Sequence, residues 1–166
     1  MKTLKIFILP IIFSVSTIAN AQFTKAELQV SGLTCSMCSK ATDKSLRTLN
    51  FIDDIKADLN RNVFVITFKK DMPVNLELIS KKVKDAGFFV NNLKATFDFD
   101  NIKLNNNSFS YAGDTYHLVN GDNKSLSGQV AFTVVDKDFV SKSVYKKYKF
   151  DTANSSGTGR VYHIVI

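Results

Sequence analysis

Both cysteines of the 166-residue chain stand in one short stretch, Gly32-Leu33-Thr34-Cys35-Ser36-Met37-Cys38, directly ahead of a helix-forming run that reaches Leu49. A C-x-x-C pair at a helix start puts one sulfur on the loop and the other on the first turn, within reach of a single soft cation. Unpaired backbone N–H groups and the helix dipole favour negative charge at that end, which predicts lowered thiol pKa values. Sulfur donors select Cu(I), Zn(II) or Hg(II) over Mg(II) or Ca(II). Two thiolates satisfy Cu(I), whereas a closed structural zinc site takes four ligands. Neither a second C-x-x-C nor a nearby histidine supplies the missing two. The bare pattern also occurs in redox proteins and in halves of zinc ribbons, so by itself it leaves those chemistries open.

The flanking residues narrow the choice. Gly32 to Cys38 is followed by Val63-Phe64-Val65-Ile66-Thr67-Phe68 and then by Asp85-Ala86-Gly87-Phe88. In motif and spacing, residues 26–93 resemble the heavy-metal-associated domain family. Its pattern is Gly-Met-Thr-Cys-x-x-Cys, a helix, a Val-rich strand pair, a second helix, and Ala-Gly-Tyr or Ala-Gly-Phe before the last strand. The family includes small copper chaperones, N-terminal modules of copper-transporting P-type ATPases and the periplasmic mercury-binding protein. The resemblance implies Cys35 and Cys38 as metal ligands and Cu(I) as the metal, with Hg(II) or Zn(II) as alternatives at the same pair. It also implies a metal-donor or metal-acceptor protein as partner, such as a copper-transporting ATPase or an efflux component. Leu33 stands where the family usually has a buried Met, a swap that conserves volume. Phe88 stands where free chaperones often carry Tyr or Lys, and Phe is commoner in the transporter-type modules.

The residues give the same frame independently. Ala26-Glu27-Leu28-Gln29-Val30 alternates apolar and polar as a half-buried strand does. Gly32 can take the backbone conformation a metal loop needs. In the first helix Cys38, Ala41, Ser45 or Leu46, and Leu49 recur at steps of three and four, which predicts one stripe facing the sheet. Asp53 to Leu59 and Val63 to Phe68 read as a hairpin turned by Asn60-Arg61-Asn62, with Phe64, Ile66 and Phe68 inward. Asn75 is the expected N-cap of a second helix with Leu76, Ile79, Val83 and Ala86 buried and Gly87 as its C-cap; Phe88-Phe89-Val90 begins the closing strand. Lys81, Lys82, Lys84 and Lys94 lie outside the buried stripe and read as a solvated face ahead of a docking patch. The expected fold class is α+β, a ferredoxin-like βαββαβ sandwich over residues 22–98.

Residues 1–21 carry Lys2 and Lys5, the apolar run Ile6 to Phe13 with Val15 and Ile18, and Ala19-Asn20-Ala21 at the end. This reads as a signal peptide cleaved before Gln22, which implies a periplasmic or secreted protein. An uncleaved anchor is the alternative, but the apolar run is shorter than the roughly 20 residues a spanning helix needs. Losing the leader lysines takes the formal charge from +7 to +5. That modest excess favours acidic protein surfaces, and no arginine stripe or aromatic platform argues for nucleic acid.

Residues 99–166 predict a second, small, mostly β domain with one helix, with an OB-like barrel as its candidate form. Ala95 to Leu104, Tyr116 to Val119, Gly128 to Val135 and Arg160 to Ile166 read as strands. Val140, Val144 and Tyr148, spaced by four, predict a short helix, and Asp151 to Gly159 a loop. His117 and His163 each follow a tyrosine in a strand-like run. If those strands paired with the histidines adjacent, two imidazoles would make an accessory metal site; ordinary strand histidines are the blander reading. Met37 could offer a thioether, but its side chain is expected to point outward as a contact for a partner or lid, and Met72 reads as turn packing. Asp53 with Asp54, and Asp136 with Asp138, read as turn chemistry rather than paired acids.

No Ser-His-Asp order, phosphate loop or dinucleotide fingerprint appears, so the expected function is non-enzymatic: binding and transfer of Cu(I). A thiol–disulfide oxidoreductase using the same pair is the alternative from a different class. Such enzymes place the pair after a strand in a βαβ frame, usually with Trp nearby and a later cis-proline facing the sulfurs. This chain has no Trp, and Pro73 precedes a helix. A binding module whose metal domain is only a scaffold is the third class.

Overall fold

The computed structural model describes residues 22–33, 35–100, 102, 104–119, 126–148 and 159–166; the expected signal peptide and most of the expected 151–159 loop lie outside them. The elements run β1 (Gln22–Ser31), α1 (Ser36–Leu46), β2 (Ile52–Asp58), β3 (Val63–Phe68), α2 (Leu76–Asp85), β4 (Phe89–Asp98), β5 (Ser108–Tyr111), β6 (Asp114–Leu118), β7 (Gln129–Val134), α3 (Lys142–Tyr145) and β8 (Val161–Val165). The first six form the expected βαββαβ unit. β1 lies between β3 and β4, antiparallel to both, and β2 pairs antiparallel with β3.

The inner face follows from side-chain alternation. Ala26, Leu28, Val30, Phe64, Ile66 and Phe68 are buried with Leu46 of α1 and Leu76, Ile79 and Val83 of α2. Asn75 caps α2 by accepting the Leu78 N–H at 3.1 Å. Ala86 is the C-cap, half-buried rather than part of the core, and Gly87 follows it at φ +88°. Asn62 turns the β2–β3 hairpin at φ 51°, while Asp58 accepts the Asn60 and Arg61 N–H groups.

The stripe expected on α1 holds at Leu46 and Leu49, both buried, and is displaced by one position in the first half of the helix. Ser39, Thr42 and Leu46 are the buried residues, and Ala41 is exposed. Two of the three are hydroxyl residues, and Thr42 is accommodated because its Oγ1 donates to the Cys38 carbonyl at 3.2 Å.

The C-terminal residues do not close into an OB-like barrel. The residues expected to open a new strand at Ala95 are the second half of β4, and β7 pairs antiparallel along them from Lys94↔Thr133 to Asp98↔Gln129. One eight-stranded sheet results, in the order β2-β3-β1-β4-β7-β8-β6-β5, with β8 and β6 parallel. The physical reason is the aromatic content of the junction. Phe97 is edge-on to Phe23 and Phe99 with ring centroids 4.9 Å apart in both cases, and tilted onto Phe109 at the same distance. Phe109, Tyr116 and Tyr162 continue as a stack at 4.9 and 5.0 Å. Burying these rings requires both halves of the chain on one sheet face.

Helix α2 is fastened to the same region. The Tyr111 hydroxyl accepts the Val74 N–H at 3.2 Å, Ser80 Oγ donates to the Asp138 carbonyl at 2.9 Å, and Arg160 pairs with Glu77 at 2.8 Å. The β5–β6 hairpin, absent from the sequence expectations, turns at Ala112 and Gly113, both at positive φ. α3 is a single turn capped by Ser141, with no buried residue. No helix among the described residues is long and apolar enough to cross a membrane.

Candidate metal centre

β1 ends at Ser31 beside Phe89 of β4, and the chain must turn sharply to enter α1. Gly32 makes the turn at φ +89°, a conformation that L side chains rarely adopt. A Cβ there would lie 3.5 Å from Cδ1 of Phe88, so that ring flanks the loop. Leu33 packs against the core beneath, in keeping with its expected Met-like role. Thr34 lies outside the described residues.

Cys35 is the N-cap of α1, with extended backbone, and its Sγ accepts the Cys38 N–H at 3.3 Å. Cys38 stands in the first turn, and the two sulfurs are 2.8 Å apart as free thiols. Cys35 is exposed and Cys38 half-buried. The sequence predicts both thiols lowered; the structure divides them. Hydrogen bonds from the Cys38 thiol and N–H hold Cys35 below the ordinary thiol range. The hydrogen bond to Cys35 raises Cys38, with desolvation and the negative charge on Cys35 adding to it. Cys35 is therefore the first thiolate, and Cys38 keeps the shared proton.

A metal bonded to both sulfurs at about 2.3 Å sets them roughly 3.8 to 4.6 Å apart for angles from tetrahedral to linear. The pair must open by 1 Å or more from its 2.8 Å contact. The exposed Cys35 side chain can supply that by rotation. Among the described residues no group of three or more His, Cys, Asp or Glu side chains converges here or elsewhere to hold a metal. Among the described residues the donor set offered to a soft metal ion here is therefore the two thiols.

Met37, between the two cysteines, is 71% exposed. Met37 thus points outward, as expected. The four lysines do not make one patch. Lys84 is paired with Asp138 at 3.0 Å, and Lys94 alternates with buried Leu93 and Ala95 onto the sheet face opposite the helices.

His117 and His163, distant in sequence, are register partners in the parallel β6–β8 pair. Asp136, read from sequence as turn chemistry, is instead a buried partner of His163: Oδ1 meets His163 Nδ1 at 2.7 Å and Oδ2 accepts the His163 N–H at 2.7 Å. The missed signal is a carboxylate following the Val134-Val135 strand end, which only register places beside a histidine. Asp53 and Asp54, also read as turn chemistry, lie instead within β2; Asp53 is exposed, and Asp54 accepts the Ile55 N–H and stands 3.7 Å from the Arg47 guanidinium.

The sequence model of the heavy-metal-associated domain matches residues 27–89. Similar solved structures include the yeast copper transporter domain CCC2A, at 27% identity over 40% of this chain and 90% of that one, with TM-score 0.36. A copper binding domain from HMA7, a P-type ATPase, is 29% identical over 39% and 86% of the two chains, with TM-score 0.36. The CopZ metallochaperone is 18% identical over 40% and 98%, with TM-score 0.37. No curated protein matches the chain. With the motif, the βαββαβ frame and the matched span in agreement, residues 27–89 are a heavy-metal-associated domain.

Proposed function

We propose that this chain is a periplasmic or secreted metal-handling protein that binds one Cu(I) through Cys35 and Cys38 and passes it to a partner. The observation that carries the reading is the exposed C-x-x-C pair at the N-terminus of α1 in a heavy-metal-associated domain. The apolar leader with its Ala19-Asn20-Ala21 end supports a site of action outside the cytoplasm. The metal is cargo, and no reaction is assigned to the chain. Exposure of Cys35 lets an incoming thiolate join the two sulfurs in a three-coordinate intermediate before one original bond breaks. The exposed Met37 between the two cysteines suits contact with a donor or acceptor protein such as a copper-transporting ATPase or an efflux component.

Anaerobic titration of the reduced chain against a chromophoric Cu(I) chelator, with Zn(II) and Hg(II) in parallel, tests this. One Cu(I) per chain is expected, lost when Cys35 and Cys38 are both replaced by Ser with the circular dichroism unchanged. Equal Cu(I) affinity in the double variant would overturn the assignment. If neither chain binds Cu(I) but the parent's pair exchanges rapidly with a disulfide partner, the oxidoreductase reading replaces it.

A further inference from the structure

Beyond β7 the chain returns to β4. The Phe139 N–H closes a turn onto the Asp136 carbonyl, Val140 bridges antiparallel to Asn92, and the Ser141 N–H donates to the Asn91 carbonyl at 3.1 Å. Next in β4 come Val90 and Phe89, which pair with Val30 and Ser31 at the end of β1. An antiparallel return carries the chain toward that same end, so α3 starts beside the strand end that launches the metal loop. Two strand spacings, roughly 10 Å at about 4.8 Å each, separate Ser141 from β1. The platform is held from both sides. Buried Phe139 is edge-on to Tyr162 at 5.7 Å, and Asp138 is bound to α2 through Ser80 and Lys84.

α3 and the residues directly after it carry Lys142, Lys146 and Lys147, all exposed and outside every ion pair among the described residues. Lys40, two residues past Cys38 on α1, is exposed as well. Nearby carboxylates do not cancel this charge. Asp138 is held by Lys84 at 3.0 Å and Asp58 by Arg61 at 2.7 Å, which leaves exposed Asp85 at the end of α2. From this placement we infer that α3 is a docking surface beside the metal loop, and that its occupant is a protein domain with an acidic face around its own metal site. Opposite charge speeds encounter and fixes orientation. A single turn lacks the apolar face with which a surface helix enters lipid, so the occupant is a protein. The surface lies outside residues 27–89, so the C-terminal extension and not the metal-binding domain supplies it. A role in metal exchange rests on the Cu(I) reading above; the docking itself does not.

Two synthetic peptides are the probes: one carries a Cys-x-x-Cys flanked by glutamates, and its twin has glutamines in their place. Added to the reduced, metal-free full chain labelled with 15N, the glutamate peptide should shift the amide resonances of α3 and the metal loop, and the twin should not. Lys142→Glu, Lys146→Glu and Lys147→Glu together should weaken binding by at least about tenfold at low salt. Lys25→Glu, Lys69→Glu and Lys70→Glu make the same charge change at the other end of β1 and β3 and should leave it within about threefold. If the first triple variant fails to fold, glutamine at the same three positions replaces it. With Cu(I) loaded, stopped-flow transfer to the glutamate peptide should outpace the twin by about tenfold at low salt. In that exchange each Cu–S bond broken at Cys35 or Cys38 is replaced by one to a peptide thiolate, the peptide's thiol protons pass to the released cysteines, and copper stays Cu(I). If the chain takes up no Cu(I), the metal-free spectra still decide the docking. Shifts scattered over all lysines, binding that survives the α3 substitutions, or equal loss in the control triple would each overturn the inference. So would loss of phosphatidylglycerol vesicle binding in the α3 variant with peptide binding unchanged, which would make the surface a membrane contact.

Discussion

The thiol pair and the histidine pair are built in opposite ways. Cys35 and Cys38 sit three residues apart on one exposed turn, where the Cys35 Sγ meets the Cys38 Sγ and accepts the Cys38 N–H. His117 and His163 meet only because β6 and β8 align in parallel, and each is tied to a different flanking element. The first site can open, exchange and be altered with little effect on the fold. The second is part of the sheet, so altering it disturbs the strand pairing around it. A local motif can carry a mobile site, whereas a register-built site is as rigid as the core beneath it.

The hardest test of that contrast removes the shared core. Phe97 contacts Phe23, Phe99, Phe109 and Tyr111. Phe97→Ala should cost about 3–5 kcal/mol, and urea unfolding followed at both halves should show one transition. Two separate transitions would break the picture of one core. Next in size, Asp136→Ala removes the acceptor of the His163 backbone N–H and should cost about 1–3 kcal/mol by the same measurement. Gly32→Ala forces a side chain onto φ +89° and should cost about 1 kcal/mol. It should also weaken Cu(I) uptake, because the turn that aims Cys35 is strained. Cys35→Ser and Met37→Ala, both exposed, should stay within about 0.5 kcal/mol of the parent.

The thiols themselves sharpen the comparison through pH. The lowered Cys35 keeps its thiolate at pH values where Cys38, raised, is protonated. Iodoacetamide should therefore label Cys35 first, with the Cys38 rate rising only at higher pH, read by peptide mass spectrometry. Both protons must leave for metal to bind. Cu(I) affinity should thus fall as pH drops. Equal labelling of the two cysteines across pH would contradict the division.

What could be read from the residues follows the same division. The metal loop, the hairpin at Asn60 to Asn62 and the Asn75 cap rest on local chemistry, and each stands where its residues predict. The face of α1 was obscured because Ser39 and Thr42 do not announce themselves as core; Thr42 is buried only through its bond to the Cys38 carbonyl. β4 was cut short at Leu93 because Asn91, Asn92 and Lys94 break its apolar run, and only pairing with β7 shows that the strand continues. The β5–β6 turn places Ala112, a residue with no special preference for positive φ, in its first position. Asp136 and the two histidines depend on register between segments that no short-range pattern relates.

The pairing of β7 onto β4 also bears on how the molecule meets others of its kind. A sheet's outermost strand offers unpaired N–H and C=O groups on which another chain can add, a common route to aggregation. In a six-element heavy-metal-associated domain with this strand order, β4 would be such a rim. Here β7 covers it from Lys94 to Asp98, and the rims pass to β2 and β5. β2 bears Asp53, Asp54, Lys56 and Asp58, and β5 is four residues long. Charge and brevity both discourage strand addition at the new rims, and the stretch of β4 from Lys94 to Asp98 is closed to it by β7.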